Sequence, residues 1–169
     1  EALGAVGGHP LFVAPQTAKD VYEAGYERPY NALLRVDPKT GQVGRTPLAR
    51  PLTGAATLVD GVVYFVRSNG SVTAVSADSG KQLWQKATET ESLSAPAVSA
   101  RYERVYFSNR FGRLLALDSR TGAEVWRTAA LDDPGDKAQN TPPRVLLVKD
   151  AIVATAGDTV FSRGPDGDD

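Results

Sequence analysis

The fold is decided by residues 116–126, Ala-Leu-Asp-Ser-Arg-Thr-Gly-Ala-Glu-Val-Trp. Apolar leucines precede this stretch, and Trp126 belongs to a return segment of β-branched and aromatic residues, which favour strands. Gly122 supplies the positive-φ residue that a short hairpin loop needs. Asp118 and Thr121 are residue types that hydrogen-bond the backbone of their own turn. The stretch therefore predicts two antiparallel strands joined by a tight turn.

The same pattern occurs at residues 74–84, Ala-Val-Ser-Ala-Asp-Ser-Gly-Lys-Gln-Leu-Trp, with Ser in place of the Asp and of the Thr. Trp84 precedes Trp126 by 42 residues (126 − 84), and a tyrosine pair and a glycine pair upstream have the same offset (106 − 64 and 112 − 70). Three pairs of residues with one offset indicate an internal repeat. The motif positions of the two copies are Ala74, Gly80, Trp84, Ala116, Asp118, Thr121, Gly122 and Trp126.

Two weaker copies flank this pair. Residues 36–43, Val-Asp-Pro-Lys-Thr-Gly-Gln-Val, keep the Asp, Thr and Gly, but Arg45 stands at the Trp position. Residues 160–167, Val-Phe-Ser-Arg-Gly-Pro-Asp-Gly, form a decayed copy in which Gly157 and Gly167 follow the register of the earlier glycines. The chain therefore contains about four repeats of one unit.

A period near 42 residues with several short strands in each unit is typical of β-propeller blades. The pattern Ala-x-Asp-x-x-Thr-Gly-x-x-x-Trp resembles the tryptophan-docking motif of the PQQ-like, quinoprotein-type β-propeller repeats, and the copy that ends at Trp126 matches at every fixed position. The repeat type is similar to that of the propeller lipoproteins of outer-membrane assembly. The resemblance implies an all-β fold of four-stranded antiparallel blades, in which the Trp of each motif packs between neighbouring blades.

We predict one partial propeller domain over residues 1–169, with about four blades of a seven- or eight-bladed ring. Residues 15–30 interrupt the first blade as an insertion, and residues 131–143 form a second long connection. The last blade lacks a fourth strand, and the chain begins at Glu1 without Met, so we expect a cut N-terminal end. Missing blades or a homodimer would then complete the ring, and a self-closed four-bladed ring is the alternative. The approximate blade boundaries are 1–45, 53–86, 94–128 and 144–163.

Composition excludes several classes of function. A net charge of −1 gives no electrostatic basis for binding nucleic acid or an anionic membrane. No apolar run approaches the roughly 20 residues of a membrane span. Cysteine is absent, which excludes a disulfide framework and thiol chemistry. Frequent Ala, Gly and Arg favour a bacterial source with a GC-rich genome.

The candidate partner or ligand face lies on the two long connections, which should emerge on the same side of the propeller because strands alternate in direction. Tyrosines recur every four residues in the insertion, either as an aromatic surface for a partner or as a loop folded onto its own blade. Acidic residues in the connection, with Asn140, either surround a hard cation or form a solvated loop. The candidate residues are Tyr22, Tyr26, Tyr30, Asp132, Asp133 and Asp136.

Catalytic residues, a cofactor and a metal are not predicted. Quinoprotein dehydrogenases of the family stack their quinone against a Trp, beside a vicinal Cys pair and Asp, Asn or Glu metal ligands. This chain has no Cys, and Trp84 and Trp126 both belong to the structural motif. His9, the single histidine, has no accompanying nucleophile. The predicted function is a non-catalytic, extracytoplasmic propeller scaffold for protein or ligand binding. A ligand-sensing propeller of a bacterial receptor Ser/Thr kinase is the alternative, and a PQQ-dependent dehydrogenase is less favoured.

Overall fold

The computed structural model describes residues 2–6, 9–14, 31–36, 39–48, 56–67, 69–88, 94–109, 111–129 and 143–168. Within these ranges the regular secondary structure consists of β-strands. The strands form four antiparallel sheets, and consecutive strands of the chain are neighbours in each sheet. Sheet one contains β1 (Ala2–Val6), β2 (His9–Ala14), β3 (Asn31–Val36) and β4 (Val43–Leu48). Sheet two contains β5 (Thr57–Val59), β6 (Val62–Val66), β7 (Val72–Ser76) and β8 (Gln82–Lys86).

Sheets three and four follow the same order. Sheet three contains β9 (Ala97–Ser99), β10 (Arg104–Ser108), β11 (Leu114–Asp118) and β12 (Glu124–Arg127). Sheet four contains β13 (Arg144–Val148), β14 (Ala151–Ala156) and β15 (Thr159–Arg163). The predicted all-β fold of four-stranded antiparallel sheets is confirmed for the first three sheets, and the fourth has three strands among the described residues.

The inner strand of sheet three is shorter than the sequence indicates. Residues 95–99 predict a strand, whereas β9 begins at Ala97. Pro96 lacks an amide hydrogen and cannot donate to the ladder. Its carbonyl instead accepts a hydrogen bond from Thr57 Oγ1 in sheet two, at 2.7 Å. Pro96, which directly precedes β9, therefore links sheet three to sheet two.

One row of directly opposed residues crosses each of the two central sheets. In sheet two the row contains Tyr64, Ala74 and Trp84. The equivalent row in sheet three contains Tyr106, Ala116 and Trp126. Residues opposed in an antiparallel ladder point to the same face, and both alanines are fully buried. The small alanine lets the two rings lean together, with centroids 6.0 Å and 5.9 Å apart in the two sheets.

A β-bulge precedes each Trp. The register shifts between Ala74 and Val75, and again between Ala116 and Leu117, which leaves Leu83 and Val125 without an opposed residue. A bulge adds one residue to one strand and so changes which side chains share a face. Here it brings each Trp onto the face of the motif Ala and leaves Leu83 and Val125 exposed. The sequence alone gave no indication of the bulge.

The core lies between adjacent sheets. Because side chains alternate along a strand, each strand of sheet three contributes to two interfaces. Val105 and Phe107 pack in a cluster with sheet two, whereas Tyr106 packs with Val145 and Ile152 of sheet four. Sheet three is therefore buried on both faces, as the interior position in a stack of propeller blades requires.

Replacing Ala116 with Leu should lower the free energy of unfolding by about 1–3 kcal/mol, because added methylenes would separate the rings of Tyr106 and Trp126 in a filled row. The same replacement at Ala123, which is exposed, should change it by less than about 0.5 kcal/mol. Urea titration followed by tryptophan fluorescence measures both variants. Equal losses in the two would contradict the packing role of Ala116.

Candidate functional site

The conserved spacing of the two strong repeats produces a docking contact between sheets. Trp84 Nε1 donates a hydrogen bond to the carbonyl oxygen of Ser119 at 2.9 Å, and the Tyr64 hydroxyl donates to the same oxygen at 3.3 Å. Ser119 lies in the motif turn of sheet three. One aromatic pair in sheet two therefore converges on one backbone carbonyl of the next sheet.

The contact recurs one sheet further along the chain. Trp126 Nε1 donates to the carbonyl oxygen of Pro165 at 3.1 Å, and the Tyr106 hydroxyl donates to it at 3.2 Å. Pro165 belongs to the decayed repeat 160–167. The tryptophan-docking prediction is confirmed, and the decayed copy acts as the acceptor of a dock.

Glycine is required where the indole meets the turn. Gly122 has a φ of +72°, and a Cβ atom built on it would lie 2.6 Å from Cε3 of Trp84. Gly167 has a φ of +93°, and its Cβ would lie 3.1 Å from Cδ2 of Trp126. An added methyl group at Gly122 would collide with the ring of Trp84, whereas one at Gly167 would require a small shift of the Trp126 ring. The motif Gly thus serves both the backbone conformation of the turn and the close approach of the neighbouring sheet.

Asp118 fixes the turn that carries the acceptor carbonyl. Its Oδ1 accepts hydrogen bonds from the Arg120 amide at 3.1 Å, the Thr121 amide at 2.9 Å and the Thr121 hydroxyl at 2.8 Å. Burial raises the pKa of Asp118, but these hydrogen bonds outweigh it and hold the pKa below its usual value. The ionised carboxylate therefore stabilises the turn, as the sequence predicted for Asp118 and Thr121.

The docking tyrosines are held in the protonated form that can donate. Burial raises the pKa of Tyr64, despite the opposing effect of its hydrogen bond to Ser119. Burial likewise raises the pKa of Tyr106, to about 12. In the sequence, Tyr64 and Tyr106 are distinguished only by the 42-residue offset between them. Their role as second donors follows from the register of the rows, which no residue pattern specifies.

The six predicted face residues, Tyr22, Tyr26, Tyr30, Asp132, Asp133 and Asp136, lie outside the described residues. The connections that correspond to the insertion in sheets two and three are described except for residues 68 and 110. Asn69 Oδ1 accepts from the amide and hydroxyl of Ser71, and Asn109 Oδ1 accepts from the amides of Phe111 and Arg113. An Asn-stabilised turn therefore forms this end of both central sheets, and the binding role of the six residues stays a prediction.

A cleft of about 490 Å³ opens beside the second dock, at the boundary of sheets three and four. The lining residues are Trp126, Arg127, Thr128, Arg163, Asp166, Gly167 and Asp168. Arg127 also forms a bidentate pair with Glu124, and this pairing lowers the pKa of the Glu124 carboxyl. The lining carries both signs of charge and favours neither an anionic nor a cationic ligand.

A quinone and its metal find no matching site in the part of the chain that the structure describes. No group of three or more His, Cys, Asp or Glu residues lies together there. The ring of Trp84 contacts Gly122, and the ring of Trp126 lies against Gly167. Both tryptophans are therefore engaged in docking between sheets.

Comparison with known proteins places the chain among propeller repeats. It matches the protein family described as outer membrane protein assembly factor BamB over residues 17–164. It is 32% identical over 124 residues to quinohemoprotein alcohol dehydrogenase ADH IIB of Pseudomonas putida. The matched residues make up 68% of this chain and 18% of that protein.

Among the residues that the structure describes, no helix has the length and apolar character needed to cross a bilayer.

Solved structures show the same fold. BamB from Moraxella catarrhalis superposes with a TM-score of 0.64 at 19% identity, over 96% of this chain and 50% of that chain. The computationally designed Ika4 protein superposes with a TM-score of 0.69 at 16% identity, over 97% of this chain and 91% of that chain. The chain thus spans half of the solved BamB and about a fifth of the dehydrogenase, 18% of its length.

Gly122→Ala should destabilise the fold more than Gly61→Ala. Both glycines have φ values near +72° to +75°, but nothing lies within 4 Å of a Cβ built on Gly61. Both variants incur about 1–2 kcal/mol of left-handed backbone strain. Only Gly122→Ala also displaces Trp84, which should add about 1–3 kcal/mol and shift the tryptophan emission. Urea unfolding and fluorescence measure the difference, and equal losses would show that the indole contact is unimportant.

The stabilising effect of Asp118 should depend on pH. Since its pKa is lowered in the folded chain, its contribution is complete above the usual Asp value near pH 4 and is lost as the pH falls through the lowered pKa. The difference in Tm between the native chain and Asp118→Asn should therefore shrink between about pH 6 and about pH 2. Ser76, whose hydroxyl accepts from the Ser79 amide in the equivalent turn, provides the control. Ser76→Ala should cost the same at each pH, and a pH-independent effect of Asp118→Asn would contradict the ionised role.

Proposed function

Because the chain belongs to the outer membrane protein assembly factor BamB family of PQQ-like propeller repeats, we propose that it is a non-catalytic, extracytoplasmic scaffold that binds a partner protein. The observation that carries this proposal is the engagement of both tryptophans. Each indole donates to a carbonyl of the next sheet and lies against a glycine turn. The two tryptophans of the motif thus contribute to the scaffold, which supports a structural role for them.

The proposed binding face is formed by the insertion 15–30 and the connection 131–143. The tyrosines of the insertion provide large, rigid contact area of the kind that is enriched in protein interfaces. The acidic residues of the connection would contribute charge at its rim. An extracytoplasmic location is supported by the family description, which refers to assembly of the outer membrane.

A PQQ-dependent dehydrogenase is the second candidate function. The observation in its favour is the 32% identity to a quinohemoprotein alcohol dehydrogenase. The match covers a small part of that enzyme, and the described residues of this chain provide no group of metal ligands. The receptor-kinase hypothesis stays a prediction from the sequence, and the complete gene sequence tests it.

Site-specific photocrosslinking tests the scaffold proposal. We expect a photoreactive phenylalanine at Tyr26 to give discrete protein adducts in the cell envelope of the source organism. The same residue at Val125, exposed in the bulge of sheet three, should give none. Protein adducts lost after Tyr22→Ala and Tyr30→Ala would support the face. No adduct at Tyr26, or equal adducts at both positions, would contradict it.

A direct assay tests the alternative. PQQ, Ca²⁺ and a primary alcohol should produce neither dye reduction nor an increase in Tm when added to the purified chain, because a ligand that binds the native state raises its stability. A Ca²⁺-dependent increase in Tm with PQQ would overturn the non-catalytic assignment, whether or not an alcohol is oxidised.

A further inference from the structure

The turn between β10 and β11 of sheet three carries an aromatic residue and an arginine. Phe111 is 41% exposed, and Arg113 follows it by two positions. We call these two residues the turn pair. Their turn connects the second and third strands of its sheet, as the insertion 15–30 connects β2 and β3 in sheet one. The turn pair therefore corresponds in topology to one of the two connections of the proposed partner face.

A buried asparagine holds the turn pair in place. Asn109 is 2% exposed, and its Oδ1 accepts hydrogen bonds from the Phe111 amide at 3.0 Å and the Arg113 amide at 2.9 Å. The Asn109 amide donates to the Arg113 carbonyl oxygen at 3.1 Å, and the Gly112 amide donates to the Asn109 carbonyl oxygen at 3.0 Å. Because the turn is already ordered, binding at the turn pair loses less conformational entropy.

Arg113 differs from the other described arginines of sheet three and its turns in having no acidic partner. Arg101, Arg104, Arg120 and Arg127 pair with Asp150, Asp118, Glu103 and Glu124. Within the described ranges no carboxylate pairs with Arg113, and its Nε is buried without a hydrogen-bond acceptor. A guanidinium stays ionised at any physiological pH, and partial burial of an unpaired charge costs free energy. A carboxylate brought by a partner would offset this cost.

The equivalent turn of sheet two has different side chains. The 42-residue offset places Asn69 and Ser71 at the positions of the turn pair (111 − 69 and 113 − 71). The hydroxyl and the amide of Ser71 both donate to Asn69 Oδ1, at 2.8 Å and 3.2 Å. The glycine between the two positions has a similar φ in both turns, +75° at Gly70 and +73° at Gly112. One turn therefore satisfies its polar side chains internally, whereas the other presents a ring and a cation.

We propose that the turn pair binds a carboxylate-bearing segment of the partner protein, with Phe111 as the apolar contact and Arg113 as the ligand of the carboxylate. This inference rests on the proposed scaffold function and adds the chemistry of the partner. Aromatic residues and arginine are enriched in protein interfaces and at their energetic centres. A planar guanidinium can also bind both oxygens of one carboxylate. The partner segment thus combines an Asp or Glu with an apolar side chain.

Exchange of the turn pair for the residues of sheet two gives the first test. Phe111→Asn with Arg113→Ser installs a pair that the repeat already holds in its equivalent turn, so the Tm should stay close to that of the native chain. Capture of the partner from a solubilised cell-envelope fraction, quantified by mass spectrometry, should fall at least tenfold. Arg120→Gln with Val125→Asn, at two exposed positions outside the turn, should leave it unchanged. Arg113→Gln replaces the double variant should that variant fail to fold, and equal capture by all chains would overturn the proposal.

Zero-length crosslinking identifies the group that position 113 meets. Arg113→Lys places a primary amine there, and a carbodiimide condenses this amine with an adjacent carboxylate to an amide, taking up the water that is lost. We expect peptide mapping to show the amide joined to an Asp or Glu of the captured protein. Arg120→Lys is the matched control, because Arg120 pairs with Glu103 of its own chain and should give only an intrachain bond.

The outcomes separate this inference from the scaffold proposal. A bond from position 113 to an acidic residue of the same chain, or equal protein adducts from Arg113→Lys and Arg120→Lys, would overturn the partner carboxylate. Discrete photoadducts at Tyr26 without a protein bond at position 113 would overturn this inference alone. Absence of both would overturn the two proposals together.

Discussion

The convergence of a tyrosine and a tryptophan on one backbone carbonyl is the contact on which the described structure depends. Trp84 and Tyr64 both donate to Ser119, and Trp126 and Tyr106 both donate to Pro165. Because the acceptor is in the next sheet, each pair fixes the position of one sheet relative to its neighbour. The contact also needs an alanine between the rings and a glycine under the indole. Each fixed residue of the repeat therefore has an identifiable physical role, and the glycine has two.

This arrangement limits where function can lie. The motif tryptophans form contacts between sheets, and Asp118 and Thr121 stabilise a turn. We therefore propose that the binding chemistry lies in the connections between strands. Sheet four has an exposed apolar surface among the described residues. Val160 is 68% exposed, whereas Val72 and Leu114, which hold the same register position in sheets two and three, are fully buried.

The two central sheets show which structural features a residue pattern can predict. The offset of 42 residues and the turn sequences Asp-x-x-Thr-Gly and Ser-x-x-Ser-Gly predicted their strands, turns and docking tryptophans, because positive φ and side-chain capping of a turn are local requirements. The bulges at Leu83 and Val125 were not predictable, since they are defined by the register in which each strand pairs with the strand before it. The second donor, Tyr106, was equally hidden, because its acceptor lies 59 residues away in sequence. The roles of Tyr22, Tyr26, Tyr30 and the acidic connection residues remain predictions.

The sequence by itself determined the class of fold, the repeat and the position of each turn, because these depend on residue types within a few positions of one another. The sequence also ruled out disulfides, since cysteine is absent. Only the tertiary structure decided which carbonyl each indole reaches and which apolar face stays exposed. Both outcomes depend on the contact of one sheet with the next. For that reason the Pro165 carbonyl of the decayed copy accepts a hydrogen bond from Trp126, and Val160 is exposed whereas Leu114 is buried.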